Sequence, residues 1–402
     1  MRGRVEELEF LATGRRTSMF QPDLDRHAAA LRDAFRGRRV AVVGAAGSVG
    51  SAVVKQLLHC DPGAVSLLDL NENNLTELVR DLRSTPSCRI PADFTSLPIA
   101  LGSVEFTRYF RETAPFDVVF NLSAIKHVRS EKNIYSLIRM VDTNVVFPHE
   151  FLGSLPYPLR RFFSVSSDKA TNPANLMGAS KMVMEEVLLL HSGRHPVSSA
   201  RFANVAFSDG SLPFGFLRRM DKRQPLSAPL DVRRYFISHE EAGQLCLLSA
   251  ALGENRDVFY PKMEGAETAI PFSEIAQRLL RLRGYEPVLC ESEEEAKAKA
   301  AELLPRKQWP CHFFTSDTTG EKDLEEFFDG RDQRDLQRFR TIGVICRDDG
   351  GSGASAVEAF IEFAGRMKRD PRVTKGDIVA AFQKVVPGLV HVETGKNLDQ
   401  KM

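Results

Sequence analysis

The stretch Arg39-Val-Ala-Val-Val-Gly44-Ala-Ala-Gly47-Ser-Val-Gly50 decides the fold of this 402-residue chain. Arg39–Val43 reads as a short apolar strand, and Ser51–Leu58 continues past the glycines as a helical pattern. Glycines at 44, 47 and 50 permit a tight turn and close helix–strand packing, and let backbone N–H groups around Ser48 and Val49 approach a pyrophosphate. A second strand, Val65–Leu68, ends at Asp69, about 20 residues beyond, where a carboxylate can bind adenosine ribose hydroxyls. Strand, glycine turn, helix, strand and acid in this order predict a dinucleotide site; the alternative is a plain βαβ turn that needs small residues. Leu70 and Asn71 follow Asp69, with no Arg to meet a 2′-phosphate, which favours NAD over NADP.

A second stretch, Phe163-Ser-Val-Ser-Ser167-Asp168-Lys169-Ala-Thr-Asn-Pro-Ala-Asn-Leu-Met177-Gly-Ala-Ser-Lys181, carries the candidate chemistry. The apolar run Arg161–Val165 reads as a buried parallel strand, so Ser167, Asp168 and Lys169 fall at a strand end. Met177 and Lys181 are four residues apart and share one face of a helix. A short-chain dehydrogenase would carry Tyr at 177, its phenol activated by Lys181. Met there, with an acid–base pair on the adjacent strand end, predicts chemistry other than simple alcohol oxidation.

Bulk properties fit a soluble enzyme with a substantial core: 43% of residues are hydrophobic and 27% charged. A formal net charge of +1 gives no reason to expect a nucleic-acid partner. The six cysteines show no CxxC spacing, so no metal site or disulfide framework is expected. No apolar run approaches 18 residues, and the Arg-rich start carries Glu6, Glu7 and Glu9, so no membrane insertion is expected and the location expected is cytoplasmic.

The chain divides into four regions. Residues 1–37 form a helical arm with an amphipathic helix at Asp23–Phe35; residues 38–200 alternate strands and helices, with Asp117–Leu122 as a further strand. Residues 201–330 are richer in loops and read as a smaller substrate-binding lobe. Residues 331–402 form an extension with a turn at Gly350–Gly353 and helices at Ala354–Met367 and Lys375–Val386. The fold class expected is α/β, a Rossmann-type doubly wound parallel sheet with a partly interleaved lobe and helical extensions at both ends. Amphipathic arm and tail need a surface to bury, which predicts a homo-oligomer with one or both at the interface. The charge run Glu291–Glu302 reads as a solvated helix face.

Gly44–Gly50, Asn121–Val128, Asp142–Val145, Ser166–Ala170, Met177–Lys181, Arg201–Val205, Arg234–Phe236 and Gly320–Lys322 occur in that order. Together they resemble the capsule-polysaccharide-type nucleotide-sugar 4,6-dehydratases, a branch of the extended short-chain dehydrogenase/reductase family, over roughly residues 38–330. Ser-Asp-Lys followed by Met-Gly-Ala-Ser-Lys resembles the branch acting on UDP-N-acetylglucosamine. The resemblance implies bound NAD and a nucleotide-sugar substrate: hydride leaves sugar carbon 4, water is eliminated across carbons 5 and 6, and hydride returns to carbon 6. The 4-ketone acidifies carbon 5, so a base is needed there and an acid at the 6-hydroxyl; Lys169 and Asp168 are the candidates, a surface ion pair being the alternative.

By the same resemblance Lys181 holds the nicotinamide ribose, and Ser123, Ala124 and Lys126 line the cofactor cleft. Lys126 and His127 face the sugar, while Asn204, Ser211 and Arg234 meet the sugar and diphosphate, Arg234 by a bidentate fork. Met177 could instead be apolar packing, His127 a structural residue and Arg234 a structural ion-pair partner; Asn144 reads as a link from a helix to the sheet. The chain departs from the family pattern where Ser103 replaces an adenine-binding Asp, where Thr318-Thr319 replace Arg-Pro, and where Arg201–Asp209 replaces a more glycine-rich segment. A 4-epimerase of the same fold and a non-catalytic NAD-binding regulator are the other readings. Loss of the Tyr argues against the first, and retention of Asp168, Lys169 and Lys181 together argues against the second.

Overall fold

The computed structural model describes residues 2–263, 268–316, 324–348 and 353–391. The chain first lays down β1 (Arg39–Val43), β2 (Ala64–Leu68), β3 (Asp93–Leu97), β4 (Val118–Asn121), β5 (Arg161–Ser167) and β6 (Val197–Phe202). Short strands β7 (Asn204–Val205), β8 (Leu226–Pro229), β9 (Arg233–Arg234) and β10 (Phe236–Ile237) follow, and β11 (Asp257–Pro261) rejoins the sheet. After β12 (Ile270–Pro271), β13 (Glu286–Leu289) and β14 (Gln308–Phe314), the chain returns once more as β15 (Arg334–Asp335) and β16 (Ile342–Ile345). The main sheet runs β15-β16-β11-β6-β5-β4-β1-β2-β3. It is parallel from β3 to β11, with β16 and β15 antiparallel at one edge. This is the doubly wound order, and its switch point lies between β1 and β4, where ligand crevices form.

The apolar runs behave as strands covered on both faces: every residue of β2 is buried, and all but the first of β1. Fourteen helices lie among the described residues. The arm holds α1 (Arg2–Thr13) and α2 (Gln21–Phe35). The sheet is flanked by α3 (Ser48–Leu57), α4 (Glu72–Ser84), α5 (Val104–Glu112), α6 (Ile134–Val141), α7 (Phe147–Ser154) and α8 (Leu176–His191). Then come α9 (Leu212–Asp221), α10 (His239–Leu252), α11 (Phe272–Leu282) and α12 (Glu293–Leu303), and the tail ends in α13 (Ala354–Met367) and α14 (Lys375–Val385). A π-helical turn, Asp142–Val146, joins α6 to α7.

Boundaries drawn from the sequence shift in three places. Strands β3 and β6 carry no strong alternation, and β6 crosses the expected break at residue 200. Residues 334–345 belong to the main sheet, so only α13 and α14 extend beyond it. Gly350–Ser352 of the expected turn lie outside the described residues, as do Gly320–Lys322 and Thr318-Thr319. The charge run forms α12, where Lys297 pairs with Glu293 and Lys299 with Glu295 on the surface.

Both terminal segments bury their apolar faces within the same chain. Leu8, Leu11 and Ala12 of α1 pack into the lobe cluster around Phe216, Leu279 and Trp309. Phe20, Leu31 and Phe35 join the main core, and buried Asp23 accepts from the backbone N–H of Arg340 and Thr341, each at 2.7 Å. In the tail, Phe360, Met367 and Phe382 share one cluster with Leu137, Val145 and Met177. The amphipathic patterns therefore find their surface inside the chain, which removes the reason for placing either segment between subunits.

Phe382 is fully buried and its ring centroid lies 4.7 Å from that of Phe360. Phe382→Ala is expected to cost about 3–5 kcal/mol, read as a lowered denaturation midpoint that does not vary with protein concentration. A concentration-dependent midpoint would place the tail between chains instead.

Candidate active site

The glycine turn is shaped as a dinucleotide site requires. Gly44 has φ of +78°, and a Cβ on Gly50 would lie 2.0 Å from the Gly44 carbonyl oxygen, so neither position accepts a side chain. A Cβ on Gly47 would meet only that carbonyl, at 3.5 Å, so the N-terminal end of α3 stays open beside Ser48 and Val49. At the end of β2, Asp69 accepts from the N–H of Ala46 at 2.8 Å and of Asn71 at 2.9 Å. Each carboxylate oxygen keeps a second lone pair for a ribose hydroxyl. These residues fit a bound dinucleotide, whose nicotinamide would supply the hydride acceptor. The Ser48 hydroxyl is not open: it donates to Asp209 at 3.1 Å and accepts the Asp209 N–H at 3.0 Å, tying the glycine turn to the loop after β7.

At the carboxyl end of β5, Ser167 turns the chain into a single 3-10 turn, Asp168–Ala170. Its hydroxyl donates to Asp168 Oδ1 at 2.6 Å and accepts the Lys169 N–H at 3.2 Å. Asp168 is buried, and Lys169 Nζ donates to both of its oxygens, at 3.1 and 3.0 Å, with its own side chain 32% exposed. A carboxylate under cover and a cation facing outward differ from a pair of solvated surface charges. Gly178 lets α8 lie against this turn, since a Cβ there would be 2.2 Å from the Lys169 carbonyl oxygen.

The first turn of α8 is held from two sides. Asn175 accepts the Gly178 N–H, and Glu131, from the loop after β4, accepts the Met177 N–H, both at 2.8 Å. Met177 is buried in the apolar cluster shared with the tail. One turn later, buried Lys181 donates to the Val165 carbonyl at 3.0 Å. Burial pushes its ammonium down to about 8, against the opposing charge of Glu185. Asn144, within the π-helical turn, pairs with both backbone groups of Ile125 and donates to Ser180, each at 2.9 Å. It thus fixes the loop after β4 against α8.

That loop carries Ser123, Ala124, Lys126 and His127. Ser123 and Ala124 are half-buried, while Lys126 and His127 keep exposed surface. Surrounding protein nevertheless crowds both chains, as a concave cleft does. Burial lowers the pKa of Lys126, with Asp209 opposing, and lowers that of His127, helped by Lys126 and Arg129.

Three of the expected contact residues also serve the protein's own structure. Ser103 is the N-cap of α5, its hydroxyl accepting the Phe106 N–H at 3.1 Å. Ser211 caps α9 in the same way, accepting from Phe214 at 3.3 Å. A Ser just before a helix accepts a backbone N–H of its first turn, and its hydroxyl proton stays available to a further acceptor. Arg234 is buried; it donates to the Arg233 carbonyl at 2.8 Å and its Nε lies 3.5 Å from Glu325.

Glu325 is the residue sequence reading missed. Its carboxylate accepts from the Asn204 side chain and, at 3.1 Å, from the Tyr235 N–H. Burial and the charge of Asp168 push it up to about 7, opposed by Arg234 and Lys169. Its segment is anchored by buried Arg201, which donates to the Phe327 carbonyl at 2.9 Å, to Thr171 at 3.0 Å and in a fork to Glu185 at 2.8 and 3.0 Å. Among the described residues no group of three or more His, Cys, Asp or Glu is arranged to hold a metal ion, and no helix is long and apolar enough to cross a membrane.

Sheet order and glycine turn define an α/β protein with a Rossmann-type doubly wound sheet. Within that class the chain belongs to the polysaccharide biosynthesis protein family, whose model matches residues 40–345. It is 30% identical to an uncharacterized membrane protein of Methanocaldococcus jannaschii over 63% of this chain and 75% of that one. It is also 30% identical to the capsular polysaccharide biosynthesis protein CapD of Staphylococcus aureus, over 61% of this chain but only 41% of the relative. The structure resembles that of Pen from Bacillus thuringiensis, with a TM-score of 0.62 at 19% identity over 77% of this chain and 88% of that one. It also resembles the UDP-Glc/GlcNAc 4-epimerase of Campylobacter jejuni, with a TM-score of 0.55 at 17% identity over 82% and 100%.

Lys181 gives a test of this packing that needs no substrate. Its folded value of about 8 lies below the ordinary 10.5, so between these values the unfolded chain binds the extra proton. Stability is therefore expected to rise as pH increases from about 8 to 10.5. In Lys181→Met that share of the rise should vanish, as read by denaturant melts across the range.

Proposed function

We propose that the chain is an NAD-dependent nucleotide-sugar 4,6-dehydratase, with UDP-N-acetylglucosamine as the first substrate to try. The observation carrying this reading is the buried Asp168 paired with half-exposed Lys169 at the end of β5, beside a helix whose residue 177 has no hydroxyl. An oxidation confined to carbon 4 needs one base. Loss of water needs groups that can serve carbon 5 and the 6-hydroxyl as well. Lys169, partly exposed beside Asp168, is the group to take the carbon-5 proton; Asp168, under cover and held by Ser167, is suited to assist departure of the 6-hydroxyl. Lys181, Ser123 and Ala124 line the nicotinamide side, and Lys126 and His127 the sugar side. Asp69 supports NAD over NADP, since a 2′-phosphate would meet its charge. The capsular polysaccharide role that the Staphylococcus relative's name carries agrees with a deoxy-sugar product.

A 4-epimerase is the second reading, supported by likeness of fold to the Campylobacter enzyme; the missing phenol at 177 weighs against it.

Incubating the protein with UDP-N-acetylglucosamine and NAD should give a product lighter by one water. An unchanged mass with a new epimer would establish the second reading. Lys169→Ala should stop both water loss and exchange of the carbon-5 proton with deuterated solvent, and Asp168→Asn should slow dehydration by about 100- to 10,000-fold. Near-normal turnover in Lys169→Ala would reduce the pair to a structural ion pair.

A further inference from the structure

The loop after β7 folds into a tight turn, Ser208–Ser211, closed by the Ser211 N–H donating to the Ser208 carbonyl at 2.9 Å. Gly210 holds its third position at φ +73°, and Phe207 stands just before it at +53°. The turn carries Asp209, the last residue of the segment in which the chain departs from the family pattern. On one side Asp209 makes two hydrogen bonds to a single hydroxyl of the glycine turn. Ser48 Oγ donates to Asp209 Oδ2 at 3.1 Å and accepts the Asp209 N–H at 3.0 Å. On the other side Gly210 abuts the loop after β4, since a Cβ there would lie 2.8 Å from His127 Nε2. The turn is thus wedged between the glycine turn and the loop that carries Lys126 and His127.

Ser48 is the first residue of α3. The leading N–H groups of a helix find no carbonyl within it, and the helix dipole adds positive potential at the same end. Such an end receives a diphosphate. A serine hydroxyl has one proton to give, and Asp209 takes the one that Ser48 has. A diphosphate oxygen seeking that proton must displace a carboxylate, and both anions would otherwise crowd one helix end.

We propose that Asp209 is an autoinhibitory latch on the dinucleotide site: its carboxylate and a diphosphate exclude one another at Ser48, so cofactor binding drives the 208–211 turn off the glycine turn. The inference rests on the dinucleotide-binding part of the function proposed above and is independent of the dehydration step. Like charges a few ångströms apart at a protein surface interact strongly enough to change an affinity about tenfold. Lys126 gives the released carboxylate a destination, since the Asp209 charge already acts to favour its ammonium form. The contact that is lost can therefore be exchanged for an ion pair across the cleft.

The test is a calorimetric titration with NAD of the unaltered protein and of Asp209→Asn, which keeps an acceptor for Ser48 and removes only the charge. Asp209 is exposed, so the variant should melt as the unaltered protein does. It should bind NAD about tenfold more tightly, and the gain should shrink as salt rises from about 0.1 to 1 M. Amide hydrogen exchange reads the latch itself. Adding NAD to the unaltered protein should protect residues 44–50 and speed exchange in 207–211, because the Asp209 N–H loses Ser48 as its acceptor. Equal or weaker binding of NAD by Asp209→Asn would overturn the proposal. So would slower exchange in 207–211 with NAD bound, which would make the turn a clasp over the cofactor. Failure of both proteins to bind NAD is a separate outcome: it removes the cofactor assignment, and the latch with it.

Discussion

The turn after β5, helix α8 and the segment around Phe327 all depend on one buried cation, Arg201. It stands at the end of β6 and forks onto Glu185 of α8, with Ser166 Oγ donating to the same carboxylate at 2.6 Å. Its remaining donors reach Thr171, just after the Asp168–Ala170 turn, the carbonyl of Phe327 and, at 3.4 Å, Asp332. Burial alone would raise the Glu185 carboxyl, but Arg201 overrides that and holds it low. The pair is thus ionised and satisfied, and removing either partner would leave an uncompensated buried charge, a loss of about 3–5 kcal/mol. Such a hub fixes relative positions: the helix bearing Lys181, the turn bearing Asp168 and the segment bearing Glu325 share one anchor.

Much of the site was legible because the fold places ligands just past strand ends, and strand ends can be read from apolar runs. The Gly44–Gly50 turn, Asp69, and the Asp168–Lys169 turn sit at the ends of β1, β2 and β5, where periodicity puts them. Local sequence could not separate a ligand contact from a helix cap. Ser103 and Ser211 precede helices, and their hydroxyls serve the backbone. A Ser at such a position has a donor three residues away whatever the function, and that spacing was the available clue. Glu325 was illegible for a different reason: its partners Asn204 and Tyr235 lie 121 and 90 residues away in sequence. Only the return of the chain to the sheet edge through β15 and β16 brings it beneath them.

The amphipathic ends are covered from within the chain. A stripe of apolar residues at helical spacing says that a face is buried, and is silent on what buries it. For α2 the answer is the main core and the loop before β16, through Asp23; for α13 and α14 it is α6, the π-helical turn and α8. Intramolecular cover has the lower entropic cost, since tethering fixes the effective concentration of the partner.

This cover also bears on position 177. Met177 lies in the cluster that the tail completes, so its side chain meets packed apolar groups. A phenol placed there would need a hydroxyl partner in those surroundings or pay for its desolvation. The tail reaches further: His391 Nε2 lies 3.4 Å from Glu131, whose other oxygen receives the Met177 N–H. The start of α8 is thereby supported by an apolar wall on one side and by a carboxylate anchored from the tail on the other. The helix end at Met177 is thus held by apolar packing and a backbone-anchoring carboxylate, and the ionisable Asp168–Lys169 pair stands on the adjacent turn at the end of β5.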